Sequence, residues 1–251
     1  MDLNGQHILV TGASRGIGAA IARHLMASGA RLVVHYNRNR AGAEALLEEF
    51  PGSASVALGA NLELPREVSE LFNRSLQELG HLDSVVLNAG VFLPHPPGSD
   101  LAEWWKIWRT TLAVNLDAAG ILTKLALDHF MERSGGRLLY IGSRAAFRGE
   151  TDAFLAYAAS KGGLTSLSRS VARSYGRYNI KAFTIAPGFT RTEMAETFIR
   201  EKGEKPLLEE IALPALTIPE DIAPLATFIC SGQMDHATGT TIDMNAGSYM
   251  H

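Results

Sequence analysis

Tyr157 and Lys161 stand four residues apart in the run Tyr157-Ala-Ala-Ser-Lys161, a spacing that puts both side chains on one face of a helix. An ammonium beside a phenol favours its ionised form. Tyrosine alone titrates near about 10, too high to exchange protons readily at neutral pH, so the fixed cation is expected to lower that value. The pair predicts proton transfer to or from an oxygen, although a surface helix can also present such a pair.

A second run with chemical meaning lies near the start. The apolar segment His7-Ile8-Leu9-Val10 leads into Thr11-Gly12-Ala13-Ser14-Arg15-Gly16-Ile17-Gly18, and Ile17, Ile21 and Leu25 then recur at helical spacing. Glycines allow the strand to reverse tightly into a helix and let a ligand approach the backbone, while the free N–H groups of the helix start attract a pyrophosphate. Three residues separate Gly12 from Gly16, so the pattern is not G-x-G-x-x-G. A dinucleotide beside the phenol is the reading this context supports.

The next strand should end near His35-Tyr36, where sites selective for NAD place an acidic residue against the ribose 2′-hydroxyl. The sequence there is Tyr36-Asn37-Arg38-Asn39-Arg40, without a carboxylate, and Arg15 sits inside the glycine turn. Guanidinium groups clamp a 2′-phosphate through charge-assisted hydrogen bonds, so NADPH is the predicted cofactor. The competing explanation is an ordinary solvated loop.

Elements able to position these residues follow from periodicity. Strands are expected at His7 to Val10, Arg31 to His35, Ala54 to Leu58, Ser84 to Leu87, Arg137 to Ile141, Lys181 to Ile185 and Thr240 to Met244. Helices are expected near Ile17 to Ser28, Arg40 to Glu49, Arg66 to Leu79, Leu101 to Met131, Ala153 to Tyr178 and Pro219 to Ser231. Several strands are apolar throughout, as in a parallel sheet covered on both faces, and the βα alternation predicts a doubly wound α/β fold. No compositional break divides the 251 residues, so one domain is expected over 1–251. Two stretches interrupt the pattern: a Pro-rich loop at Val91 to Asp100, and residues 190–216, which read as a lid over a ligand or as a plain surface excursion.

Composition excludes several classes. Hydrophobic residues make up 46% of the chain and charged residues 20%, enough for a core without disulfides. A net charge of −3 with both signs interspersed gives no field to attract nucleic acid or an anionic membrane. Cys230 is the single cysteine and sits in an apolar helical run, which reads as core, and no histidine lies near it to activate a nucleophile. The first residues lack a signal-peptide pattern and no apolar stretch is long enough for a bilayer, so a cytoplasmic protein is expected. The eight histidines show no metal-ligand spacing, and no metal is predicted. Trp104 and Trp108 should share a helix face, with Trp105 turned away, for packing, a subunit contact or a pocket wall.

Taken in order, Thr11-Gly12-x-x-x-Gly16-x-Gly18, Asn88-Ala89-Gly90, Asn115, Ser143, Tyr157-x-x-x-Lys161 and Pro187-Gly188 resemble the motif set of the short-chain dehydrogenase/reductase family over nearly the whole chain. The resemblance implies a single-domain Rossmann fold with a seven-stranded parallel sheet and helices on both faces, assembled as a homodimer or homotetramer. It implies that Tyr157 is the acid/base, that Lys161 lowers its pKa and holds the nicotinamide ribose, that Ser143 orients the substrate carbonyl and that Asn115 holds a relay water. Asn115, in the apolar run Leu112-Ala113-Val114-Asn115-Leu116, could equally be a structural amide bonded to backbone. Around the pyrophosphate the implied cofactor contacts are Gly12, Ser14, Arg15, Gly16, Ile17 and Gly18, with Asn37 and Arg38 at the 2′-phosphate. Asn61 and Leu62 fall at the adenine, Asn88, Ala89 and Gly90 on the adenosine side, and Pro187, Gly188, Thr190 and Thr192 at the carboxamide.

Within that family the nearest likeness is to 3-oxoacyl-(acyl-carrier-protein) reductases of fatty acid biosynthesis. It rests on Tyr157-Ala-Ala-Ser-Lys161-Gly-Gly-Leu164, on Ala186-Pro187-Gly188-Phe189 with Thr192-Glu193-Met194, and on Thr238-Gly239-Thr240 with Asn245-Ala246-Gly247-Ser248-Tyr249-Met250. The likeness implies a carrier-bound ketone, and Arg133, Arg137 and Arg177 are candidates for docking an acyl carrier protein, or simple surface charge. Sugar, steroid and small-alcohol dehydrogenases share these motifs, and a non-catalytic NADPH-binding regulator is the reading from another class. The chain departs from the pattern at Asn61, where an aspartate is common, and in the charged loop carrying Arg144, Arg148, Glu150 and Asp152. Its Ser143 to Tyr157 spacing of 14 positions is also one longer than expected.

Overall fold

The computed structural model describes every residue of the chain except 194, 196–198, 201 and 202. Its strands are β1 (His7–Val10), β2 (Arg31–Tyr36), β3 (Val56–Gly59), β4 (Ser84–Leu87), β5 (Gly136–Ile141), β6 (Ile180–Pro187) and β7 (Thr241–Met244). They form one parallel sheet in the order β3-β2-β1-β4-β5-β6-β7, the seven-stranded doubly wound arrangement that the sequence implies. Successive strand side chains point to opposite faces, so an apolar run builds two cores at once. Ile8, Val10, Leu32, Val34, Leu139 and Ile141 join one core, and Leu9, Val33, Leu138 and Tyr140 join the other.

Helices cover both faces. The first core takes α1 (Gly16–Ala27) through Ile21 and Leu25, together with the helix Pro219–Cys230 through Ile222, Ala226 and Ile229. The second core takes α3 (Pro65–Leu79), α5 (Ala118–Glu132) and α7 (Leu155–Tyr175), which contribute Leu71, Phe72, Leu122, Phe130, Leu164 and Val171. Between these lie α2 (Arg40–Glu48), α4 (Leu101–Leu112) and α6 (Ala145–Arg148). Cys230 is fully buried, and burial pushes its thiol up to about 12, which agrees with a packing role. Among the described residues, no helix is long and apolar enough to cross a membrane.

Boundaries differ from expectation where local chemistry intervenes. Strand β3 starts after Ala54, whose φ of 51° lies in the left-handed region and breaks the extended run. The helix expected over Leu101 to Met131 is interrupted by a π turn, Ala113–Asp117, that carries Asn115. Short 3₁₀ turns, Asp152–Phe154 and Gly176–Tyr178, flank α7. Of the expected lid, Thr190 bridges to Thr217 and Lys205–Glu209 is helical, whereas residues 194, 196–198, 201 and 202 lie outside the described residues.

Sheet order reverses between β1 and β4, so the crossover helices leave in opposite directions there. Open α/β sheets bind ligands in the crevice this creates at the carboxyl ends of the strands. The glycine turn after β1 and Asn88-Ala89-Gly90 after β4 face each other across it.

Candidate active site

The glycine turn is clamped from three sides. Thr11 Oγ1 donates to the Val86 carbonyl at 3.2 Å and accepts from the Asn88 and Ala89 N–H groups at 2.9 and 3.1 Å. The Asn88 side chain donates to the carbonyls of Thr11 and Gly12 at 2.9 and 3.1 Å, so it braces the turn from within the protein. His35, at the end of β2, accepts from the Gly12 N–H at 3.0 Å through Nδ1 and meets the Ala60 carbonyl at 3.1 Å through Nε2. Burial lowers its pKa to about 4, and the neutral ring with hydrogen on Nε2 satisfies both partners. His35 was not singled out by the sequence, where it reads as one more strand residue.

Two glycines here are sterically required. A Cβ on Gly18 would lie 2.3 Å from the Gly12 carbonyl oxygen and 2.4 Å from Asn88 Nδ2. Gly12 has φ of +63°, and a Cβ on it would lie 2.9 Å from the Ala89 Cα. Close approach of backbone to a pyrophosphate is what such a cradle permits. Thr192 crosses nearby, its methyl 3.4 Å from where a Gly16 Cβ would stand, and Ile17 packs against the core below the turn.

At the end of β2 no carboxylate faces the turn. Asn37 and Arg38 are exposed, and the Arg38 guanidinium makes no hydrogen bond or ion pair among the described residues. Arg40 is paired with Glu44 and Arg15 with Glu193, the latter an exposed contact of 3.1 Å. Asn39 caps α2 by accepting from the Gly42 N–H and donates to the Ser14 carbonyl, fixing this loop to the glycine turn. Asn61 turns its side chain back to the Glu63 N–H at 3.1 Å, while Leu62 joins the second core beside Ala89.

The proton-handling residues converge beyond Gly90. Tyr157 and Lys161 lie one turn apart in α7, with Nζ 5.7 Å from the phenol ring centroid. The Ser143 hydroxyl, just past β5, lies near enough to the Tyr157 phenol to lower its pKa, and it accepts from the Ala145 N–H at 3.1 Å. Lys161 is buried and donates to the Ile141 carbonyl at 2.7 Å. Asn115 Oδ1 accepts from the Val91 N–H at 2.8 Å, and its Nδ2 donates to the Val91 carbonyl and to Ser160 Oγ at 3.0 and 3.1 Å. Its amide is therefore committed to the protein, as the structural alternative requires. Ser160, which also donates to the Tyr157 carbonyl, is a link the sequence did not flag.

The direction at Tyr157 runs against the expected lowering. Burial, the largest cause, pushes the Tyr157 phenol up to about 12, while the Ser143 hydrogen bond pulls the other way. Lys161 is itself pulled down to about 8 by burial. One of its three N–H groups is used by the Ile141 carbonyl, and desolvation is the largest influence on the phenol.

An aromatic wall flanks the phenol. Phe92 stacks on Phe154 with centroids 3.8 Å apart and meets the Tyr157 ring edge-on at 4.8 Å. Trp104 and Trp108 stack at 5.1 Å on the face of α4 toward His95, and Trp105 is exposed, as expected from their spacing. Buried His95 accepts from the Ala156 N–H through Nε2 at 3.1 Å and lies 3.2 Å from the Leu93 carbonyl through Nδ1. It thereby ties the Pro-rich loop to the first turn of the helix carrying Tyr157. In the charged loop, buried Arg144 and half-exposed Arg148 both reach Glu210 at 3.1 Å. Pro187 ends β6, Gly188 donates to the Met244 carbonyl, and Thr190 Oγ1 donates to the Gly188 carbonyl at 3.3 Å. Among the candidate docking arginines, Arg137 is held by Asp235 in two hydrogen bonds of 2.8 Å and Arg177 lies over the Tyr178 ring. That leaves Arg133 unengaged among the described residues.

Comparison with known proteins agrees with this geometry. A family model described as short chain dehydrogenase matches residues 6–203. The chain is 30% identical over 253 residues to 3beta-hydroxysteroid dehydrogenase 1 of Eggerthella lenta, covering 100% of this chain and 96% of the relative. It is 31% identical over 252 residues to the 3-oxoacyl-[acyl-carrier-protein] reductase FabG of Escherichia coli, covering 100% of both. The crystal structure of a short chain dehydrogenase from Burkholderia cenocepacia in complex with NADP superposes with a TM-score of 0.88 at 29% identity, over 99% of each chain.

Proposed function

Since the chain belongs to the short-chain dehydrogenase family, oxidoreductases acting on CH–OH and C=O groups, we propose that it reduces a ketone to a secondary alcohol with NADPH, the ketone being a 3-oxoacyl thioester. The observation that carries the reaction type is the meeting of Ser143, Tyr157 and Lys161 beyond the glycine turn. The cradle formed by Gly12 and Gly18, which a Cβ would fill, fits a nicotinamide dinucleotide, and the bound cofactor supplies the hydride.

The protein's own groups handle the oxygen. Ser143 and the Tyr157 hydroxyl polarise the ketone, and the phenol gives its proton as negative charge develops on that oxygen. Lys161, pulled to about 8, keeps its charge at neutral pH and presents it beside the phenolate that is left. Preference for NADPH is supported by the missing carboxylate after β2 and by the free Arg38 guanidinium, with Arg15 able to exchange Glu193 for a phosphate. On this reading Asn37 and Arg38 meet the 2′-phosphate, Asn61 and Leu62 the adenine, and Pro187, Gly188, Thr190 and Thr192 the carboxamide. Residues 190–216 cover the substrate, and the chain works in the cytoplasm as a homodimer or homotetramer that takes its ketone from an acyl carrier protein.

The Phe92–Phe154 wall favours a second substrate reading, a flat apolar ring system such as a steroid. Initial rates with acetoacetyl thioesters against a panel of steroid, sugar and small ketones separate the two, and a higher kcat/KM with NADH than with NADPH would end the cofactor assignment. Tyr157→Phe should lower turnover by about 10²–10⁴-fold while NADPH still binds. Near-normal activity of that variant would refute Tyr157 as the acid.

A further inference from the structure

At the end of the sheet opposite the glycine turn, where β1 and β4 begin, three side chains from two distant parts of the chain converge. His7 opens β1, and His81 and Asp83 lie between α3 and β4. One ligand atom from each, a ring nitrogen from either histidine and a carboxylate oxygen from Asp83, lie within 4.8 Å of one another. We propose that His7, His81 and Asp83 bind a divalent transition-metal ion of the zinc class, with a fourth coordination position left to water.

Distances support a small adjustment into a coordination shell. Tetrahedral zinc with bonds of about 2.0–2.2 Å keeps its ligand atoms about 3.3–3.6 Å apart. His81 Nε2 and Asp83 Oδ2 already stand 3.3 Å apart. The His7 and His81 rings have centroids 4.3 Å apart with a tilt of 42°. The widest ligand pair therefore closes by about 1–1.5 Å, within reach of a side-chain rotation of His81 in its loop.

The surroundings favour capture. His7 Nδ1 is buried and has no hydrogen-bond partner, an orphan that coordination would satisfy. Asp83 is fixed in advance: the His7 N–H donates to its Oδ2 at 2.8 Å, and the Asp83 N–H donates to the His7 carbonyl at 2.8 Å. Held carboxylates and oriented imidazoles are what raise metal affinity.

Arg31 opposes a cation here, since it pairs with His7 across β1 and β2, but its guanidinium is drawn away to the carbonyls of Ala54 and Glu78 at 2.7 and 2.8 Å. Neighbouring His129 is occupied by the Leu82 N–H at 3.1 Å. Two imidazoles and one carboxylate suit zinc, cobalt, nickel or copper and disfavour magnesium and calcium, which prefer all-oxygen shells. His7 and Asp83 are 76 positions apart, so no local spacing announces the cluster. The site is separate from the proposed reductase centre, and an ion there would pin the starts of β1 and β4 together.

The test uses the full chain freed of metal with a chelator, titrated calorimetrically with ZnCl₂ and followed by the visible absorption of CoCl₂ as a geometry probe. One Zn²⁺ per chain should bind, MgCl₂ should not compete, and zinc at a hundredfold excess over Kd should raise Tm by about 5–10 °C. His81→Ala and the milder His81→Gln should each weaken zinc binding at least about tenfold, and Asp83→Asn likewise. Absence of stoichiometric zinc binding, or binding that both His81 variants leave unchanged, overturns the proposal.

Discussion

Replacing His35 by alanine asks whether the glycine turn is held from beneath. The ring is 1% exposed and serves the Gly12 N–H and the Ala60 carbonyl at once. Alanine leaves both backbone groups without partners in a dry site, at about 1–3 kcal/mol each, so a loss of about 2–6 kcal/mol is expected before any cavity contribution. Set against a typical total of about 5–15 kcal/mol, that is a large fraction. The ring also carries a pH signature. Its folded-state pKa, about 4, lies below the ordinary 6.5, so the unfolded chain takes up the proton first as pH falls. The stabilisation is complete above about pH 6.5 and drains away toward about pH 4, a loss of about 2 kcal/mol between about pH 7 and pH 4.5. Urea unfolding at those two pH values, for the wild type, His35→Ala and the non-titrating His35→Asn, measures both effects. The difference between wild type and His35→Asn cancels other titrating groups such as His7 and His129, whose pKa values burial also lowers. A His35→Ala protein within about 1 kcal/mol of wild type, or equal pH slopes for wild type and His35→Asn, would refute the reasoning.

Three more outcomes follow from the same contacts. Gly18→Ala forces a Cβ to 2.3 Å from the Gly12 carbonyl, so NADPH affinity measured by fluorescence should fall at least about tenfold, and unchanged affinity would remove the cradle argument. His95→Ala uncaps the Ala156 N–H beside Tyr157 and should lower kcat by about tenfold or more with little change in the KM for NADPH; a selective rise in that KM would contradict a positioning role. Lys161 has a folded-state pKa of about 8, below its ordinary 10.5, so its charge is present below that pH and lost above it. Ketone reduction should stay level near neutrality and decline above about pH 8, and a profile level to about pH 10 would show that the amine's charge is not needed.

Legibility in the sequence followed the range of each interaction. The strands of the sheet were readable because continuous apolar runs such as Ser84–Leu87 have one stable use, burial on both faces. The placement of Gly12, Gly18, Ser143, Tyr157 and Lys161 was readable because it depends on local spacing after a strand or along one helix, and the roles proposed for them rest on that placement. What escaped was set by partners far along the chain. His35 reaches Gly12 and Ala60 from the end of β2, and His95 reaches Ala156 from a Pro-rich loop. Neither contact leaves a periodic trace. The π turn at Ala113–Asp117 was likewise unreadable, since the residue it carries, Asn115, is held by Val91 and Ser160. The upward push on the Tyr157 phenol was not legible either, because spacing reports a neighbouring charge but not the depth to which the fold desolvates each group.

That depth bears on which way the proton runs. Lys161 donates to the Ile141 carbonyl at 2.7 Å through one of its three N–H groups, and its Nζ stands 5.7 Å from the phenol ring centroid. Desolvation is the largest influence at Tyr157 and pushes the phenol up to about 12, which favours its protonated form. A protonated, partly desolvated phenol is prepared to give a proton to a developing alkoxide, which is more basic than a phenolate, whereas accepting one from an alcohol would first require a phenolate that desolvation penalises. Ser143 softens the bias by hydrogen bonding to the phenol but does not reverse it. On the proposed function these electrostatics favour reduction, and oxidation of the alcohol becomes accessible as rising pH removes the proton for it.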